Sequence, residues 1–106
     1  MPFKLIIIYW RDIPAQVTAQ EGRTREKALL AARFQHAIDR AAAVAGLTDT
    51  DSYIAQWKRE TFACEGDMAE AVAKEASKIE DSYTAERLEQ LVQQGGVENN
   101  DGKVIA

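Results

Sequence analysis

One run in this chain gathers side chains suited to holding a ligand: Tyr9-Trp10-Arg11-Asp12, at the end of an apolar stretch and just before Pro14. A guanidinium offers a planar fork of donors that suits an anion, and an indole offers an apolar wall. Trp57, followed by Lys58 and Arg59, repeats the combination further along. If the two segments are neighbouring strands, Trp10 and Trp57 lie at comparable heights, with Arg11, Asp12, Lys58 and Arg59 as a charged rim. The plainer alternative is a corner in which Arg11 and Asp12 satisfy turn backbone groups and both tryptophans belong to the core.

No other residue pattern points to catalysis. His36 is the only histidine, no HExxH spacing occurs, and the six glycines are scattered as punctuation rather than gathered in a phosphate loop. Cys64 is the only cysteine, which rules out an intrachain disulfide. It precedes Glu65, Gly66 and Asp67, whose carboxylates oppose formation of a thiolate, so it reads as a small residue at a strand end. Glu70, Glu75, Glu80 and Asp81 read as solvated helix sides. The expectation is a protein with no catalytic residue, no metal and no cofactor.

Length and composition agree. A chain of 106 residues with 46% hydrophobic and 28% charged side chains suits one domain with its own core, and a formal charge of -4 gives no footprint for nucleic acid. No segment approaches the roughly 20 apolar residues of a membrane helix, and the N-terminal run lacks the form of a signal peptide. The expected setting is the cytoplasm.

The elements that would position these residues follow from periodicity. Residues 4 to 10 are apolar on both pleat faces, Leu5, Ile7 and Tyr9 on one and Ile6, Ile8 and Trp10 on the other, as in a central strand. Ala15, Val17 and Ala19 alternate with Gln16, Thr18 and Gln20, which predicts a half-exposed partner joined through a corner at residues 11 to 14. The spacing of Leu30, Phe34, Ile38, Ala41 and Ala45 predicts a helix over 24 to 45, closed by Gly46. Aromatic residues in "SYIAQWKRETFAC" predict a third strand. Asp67 is the expected N-cap of a helix with Met68, Val72, Ala76 and Ile79 inward, and Thr84 starts another with Leu88 and Leu91 inward, stopped by Gly95-Gly96. The expected fold is α+β, a three-stranded antiparallel sheet with helices on one face in the order β-β-α-β-α-α, loosely ferredoxin-like. Residues 1–96 form the domain and 97–106 a polar tail.

The runs "IIIYWRDIPAQV", "GRTREKALLAARFQHAIDRAAAVAGL" and "DSYIAQWKRE" resemble the small bacterial virulence factor family, over roughly residues 3 to 82. A similar domain ends the longer staphylococcal conserved virulence factor C type proteins. The resemblance implies that Trp10, Arg11, Asp12, Arg33, Asp39, Arg40 and Trp57 form a binding surface. It also implies a role beside corrinoid- and folate-linked one-carbon enzymes. The leading expectation is therefore a non-catalytic accessory or interaction protein with a protein partner, such as a corrinoid or folate enzyme. The alternative is a small dimeric ferredoxin-like enzyme or ligand-binding protein with a Trp- and Arg-lined pocket. A homodimer through the sheet would cover the spare apolar face of the first strand.

Overall fold

The computed structural model describes residues 2–97, which form an α+β fold of four strands and four helices. The strands are β1 (Pro2–Trp10), β2 (Ile13–Glu21), β3 (Thr24–Leu29) and β4 (Trp57–Glu65). The helices are α1 (Ala32–Ala45), α2 (Thr50–Ile54), α3 (Met68–Ser82) and α4 (Ala85–Gln93). All strand pairs are antiparallel and the sheet order is β3-β2-β1-β4, which places the apolar β1 in the interior of the sheet as its composition requires. Of the expected tail, residues 98–106 lie outside the described residues.

Two segments depart from expectation and give a chain order β-β-β-α-α-β-α-α in place of β-β-α-β-α-α. The helix expected over 24 to 45 starts only at Ala32, because Thr24–Leu29 is a strand. Glu, Lys, Ala and Leu favour a helix when isolated, but Gly22 at φ +60° turns the chain back so that Thr24 pairs with Glu21, and six ladder positions override the local preference. The sheet thus has four strands, not three. The strand expected from Tyr53 begins at Trp57. Tyr53 belongs to α2, whose N-cap Asp49 accepts a hydrogen bond from the Ser52 amide at 3.1 Å.

The remaining elements match their sequence signals. Asp67 accepts from the amides of Ala69 and Glu70, Thr84 accepts from that of Arg87, and Gly46 closes α1 at φ +74°. Val72, Ala76 and Ile79 of α3, Phe34, Ile38 and Ala41 of α1, and Leu88 and Leu91 of α4 join one core with Phe3, Leu5, Ile7, Val17 and Ala19. Helix α3 lies across β2 and β3, while α1 packs on α4 and against β2. Ile6, on the opposite pleat face, is buried by its neighbours but stands outside this core.

The alternation of β1 fails at its last residue. Trp10 shares pleat parity with Ile6 and Ile8, yet it is fully buried in the main core together with its partner Ile13. The ladder slips between Ile8 and Tyr9, where Ala15 is the extra residue on β2. Such a bulge sharpens the local twist, and this end of the ribbon meets Tyr53 of α2.

Candidate functional site

The corner between β1 and β2 is closed by three separate stretches of chain. Trp10 is 0% exposed, stacks on Tyr53 at 5.5 Å between ring centroids, and donates its indole N–H to the Tyr53 carbonyl at 2.9 Å. Arg11 is the only described non-glycine residue with positive φ, +54°. Its backbone N–H reaches the Gln56 carbonyl at 3.0 Å, its Nε the Gln56 side-chain oxygen at 3.1 Å, and its Nη1 the Gly95 carbonyl at 3.0 Å. The Asp12 amide donates to the Gly96 carbonyl at 2.8 Å, and the Asp12 carboxylate meets Lys58 at 3.1 Å. Gly96, at φ +91°, lies so close to Trp10 that a Cβ there would stand 2.9 Å from Cζ3 of the indole.

Trp10 and Trp57 are opposite one another in the β1–β4 ladder, as expected, but only Trp57 retains exposed surface. A shallow hollow of about 390 Å³ opens here, with Arg11, Asp12, Gln56, Trp57 and Lys58 in its lining. Tyr9, adjacent in sequence, is not part of that lining. Partial burial and the Glu60 carboxylate beside it push its phenol well above the ordinary range, so it stays protonated and offers no base.

Arg33, Asp39 and Arg40 do not converge on the corner. Arg33 donates to the Glu80 carbonyl at 2.9 Å and lies over the Phe34 ring, tying the start of α1 to the end of α3. Arg40 makes a two-pronged pair with Glu89 of α4, at 2.7 and 3.0 Å, which holds the Glu89 carboxyl below the usual carboxylate range. Asp39 accepts from Gln35 one turn earlier on the exposed side of α1. The candidate residues thus occupy a corner and a separate α1 surface.

The spare face of the sheet, expected as an apolar surface for a second copy, carries charge that was not anticipated. Across the pleat face away from the core, strand register aligns Arg25–Gln20–Lys4–Ala63, then Lys27–Thr18–Ile6–Thr61, then Leu29–Gln16–Ile8–Arg59. None of these twelve residues belongs to the core or packs against it as a partly buried hydrophobic. Four are cations and none is a carboxylate. The side chains of Lys4, Arg25, Lys27 and Arg59 make no ion pair or hydrogen bond with another described residue. Ile6 and Thr18 are 8% and 9% exposed at the centre, and Leu29 is 70% exposed at one side. The signal lay in "TREKAL": read as a strand, its alternation puts Arg25, Lys27 and Leu29 on one face.

Among the described residues no group of His, Cys, Asp and Glu side chains could hold a metal ion, and no helix is long and apolar enough to cross a membrane. Cys64 is half-buried and packs against the core. Comparison with curated proteins and with solved structures gives no match. A family model described as "Virulence factor" matches residues 8–92, from within β1 to the last turn of α4, and by that match the chain belongs to the virulence factor family.

Proposed function

We propose that this chain is a non-catalytic accessory domain that docks another protein through the bare face of its sheet. The supporting observation is that face itself: twelve aligned positions, outside the core, with unpaired cations around an apolar centre. Elsewhere the striking residue types are engaged within the chain. Trp10 is enclosed, Arg11 holds Gln56 and Gly95, and Arg40 holds Glu89. On the sheet face a partner finds four cationic side chains, unpaired among the described residues and set close together. The finer reading, an accessory to corrinoid- or folate-linked methyl transfer, rests on family resemblance and names the enzymes to look for first.

The test is site-specific photo-crosslinking in a bacterium that carries the protein. A benzophenone amino acid is placed at Thr61 on the bare face, and a control at Gln35 on the outer side of α1. The reading expects a discrete crosslinked protein from Thr61 and none in common with Gln35. Identical products at both positions, or none at Thr61, refute it. The second reading, a small-molecule site, is favoured by the hollow beside Trp57 and Lys58. It predicts that ligands protect Trp57 fluorescence from quenching while Thr61 crosslinks nothing.

A further inference from the structure

We infer that the partner presents carboxylates around an apolar patch, so that the bare sheet face is an acidic-protein dock and neither a self-association surface nor a nucleic-acid platform. This rests on the docking function proposed above and adds the chemistry of the occupant.

The first argument is segregation of charge. The chain is net negative, with 17 Asp and Glu against 13 Lys and Arg, yet the three rows hold four cations and no carboxylate. Within the span of these rows the acids of the same strands stand on the other parity. Glu26 is opposite Ala19 and Glu60 opposite Ile7, both core residues. The first acid on the bare face is Glu65, opposite Pro2 and beyond the last full row. Alternation along β3 has thus sorted the signs, Arg25 and Lys27 outward and Glu26 toward the helix side, and on β4 it sets Arg59 outward and Glu60 inward, with Lys58 on the inner parity beside Asp12.

The second argument is the layout. Ile6 and Thr18 form an already dry centre, Ile8 and Thr61 flank it, Leu29 stands exposed at the β3 edge, and the four cations lie around them. At one end lies a hollow of about 800 Å³ whose lining includes Lys4, Ile6, Arg59, Thr61 and Phe62, with Glu21 as its one carboxylate against two cations. An apolar centre with a charged rim is the usual anatomy of a protein interface, and the rim sets which partner is accepted.

The competing occupants fit less well. Stacking this face on a second copy of itself, at the roughly 10 Å spacing of packed sheets, would bring eight cations together with no carboxylate in the rows to offset them. Single-stranded nucleic acid needs flat side chains for base stacking, and none of the twelve positions is aromatic. A long polyanion would also feel the net charge of -4, whereas a compact acidic patch feels mainly the cations within a Debye length of about 8 Å.

The experiment uses the full chain, labelled with nitrogen-15, and two defined probes: a synthetic peptide alternating Glu and Leu, and a fifteen-nucleotide oligo-dT. Amide shift changes locate binding, fluorescence anisotropy gives affinity, and sedimentation gives the oligomeric state. The expected result is a monomer that binds the peptide more tightly than oligo-dT, with shifts concentrated on the three rows. Binding should weaken more than about tenfold in a triple reversal, Lys4→Glu with Lys27→Glu and Arg59→Glu, and less than about twofold in Lys78→Glu on α3. Oligo-dT binding as tightly as the peptide, a dimer abolished by the triple reversal, or peptide shifts on another surface would each overturn the inference. If the peptide fails while Thr61 still crosslinks a protein, the charge assignment is wrong and the docking function stands. If both fail, both are wrong.

Discussion

Replacing Arg11 separates a clasp from a recognition residue, and the structure sets the size of the effect. Arg11→Ala removes two side-chain hydrogen bonds, to Gln56 and to the Gly95 carbonyl, worth about 1 kcal/mol each at a half-buried site. The loss is about 2 kcal/mol. Arg11→Gly removes the same bonds, but glycine adopts φ +54° without the penalty of about 1 kcal/mol that a Cβ brings, so its net loss is about 1 kcal/mol. With a urea slope on the order of 1 kcal/mol/M for a small domain, the midpoints should fall by about 2 M for alanine and about 1 M for glycine. Tryptophan fluorescence is a direct probe, since Trp10 is buried under this corner. Both midpoints within about 0.3 M of wild type would refute the clasp. Arg11 would then be free for recognition, and the same variants should lose partner binding while remaining stable.

Gly96→Ala should cost about 2 to 4 kcal/mol, combining a strained φ of +91° with a Cβ 2.9 Å from the Trp10 ring, whereas Gly22→Ala, at φ +60° with open space around it, should cost about 1 kcal/mol; urea midpoints of the pair test this. The raised Tyr9 phenol predicts an alkaline limit: below about pH 10 the folded and unfolded chains both carry the proton, and above it only the unfolded chain ionises, so stability falls as pH rises. Tyr9→Phe should flatten that decline, and an unchanged slope between pH 9 and 11 in denaturant titrations would refute the assignment.

Legibility from sequence followed how local each determinant is. Caps and buried stripes are set within a few residues, and Asp67, Thr84, Gly46 and the α3 face were readable for that reason. Strand β3 was not, because Thr24–Leu29 is made of good helix formers and becomes a strand only through its ladder with β2. Reading it as helix also hid the charged sheet face, which exists only when four strands are set in register. The Trp10-Arg11-Asp12 run was recognisable as unusual, but its bonds to Gln56, Gly95 and Gly96 join positions far apart in the chain. No spacing rule reports such contacts. Arg33 and Arg40 were singled out by the resemblance alone, and their partners Glu80 and Glu89 come from helices that the sequence left unpositioned.

The bond from Arg11 to the Gly95 carbonyl spans 84 positions, and it also orders events in time. During synthesis the hairpin of β1 and β2 emerges first, with an indole N–H and a turn amide awaiting acceptors that have not yet been made. The corner can close only when residues 95 and 96 clear the ribosome. Until then the surface around Trp10 lacks the cover that residues 95 and 96 supply, and exposed apolar surface of that kind is what makes partly folded chains prone to aggregate.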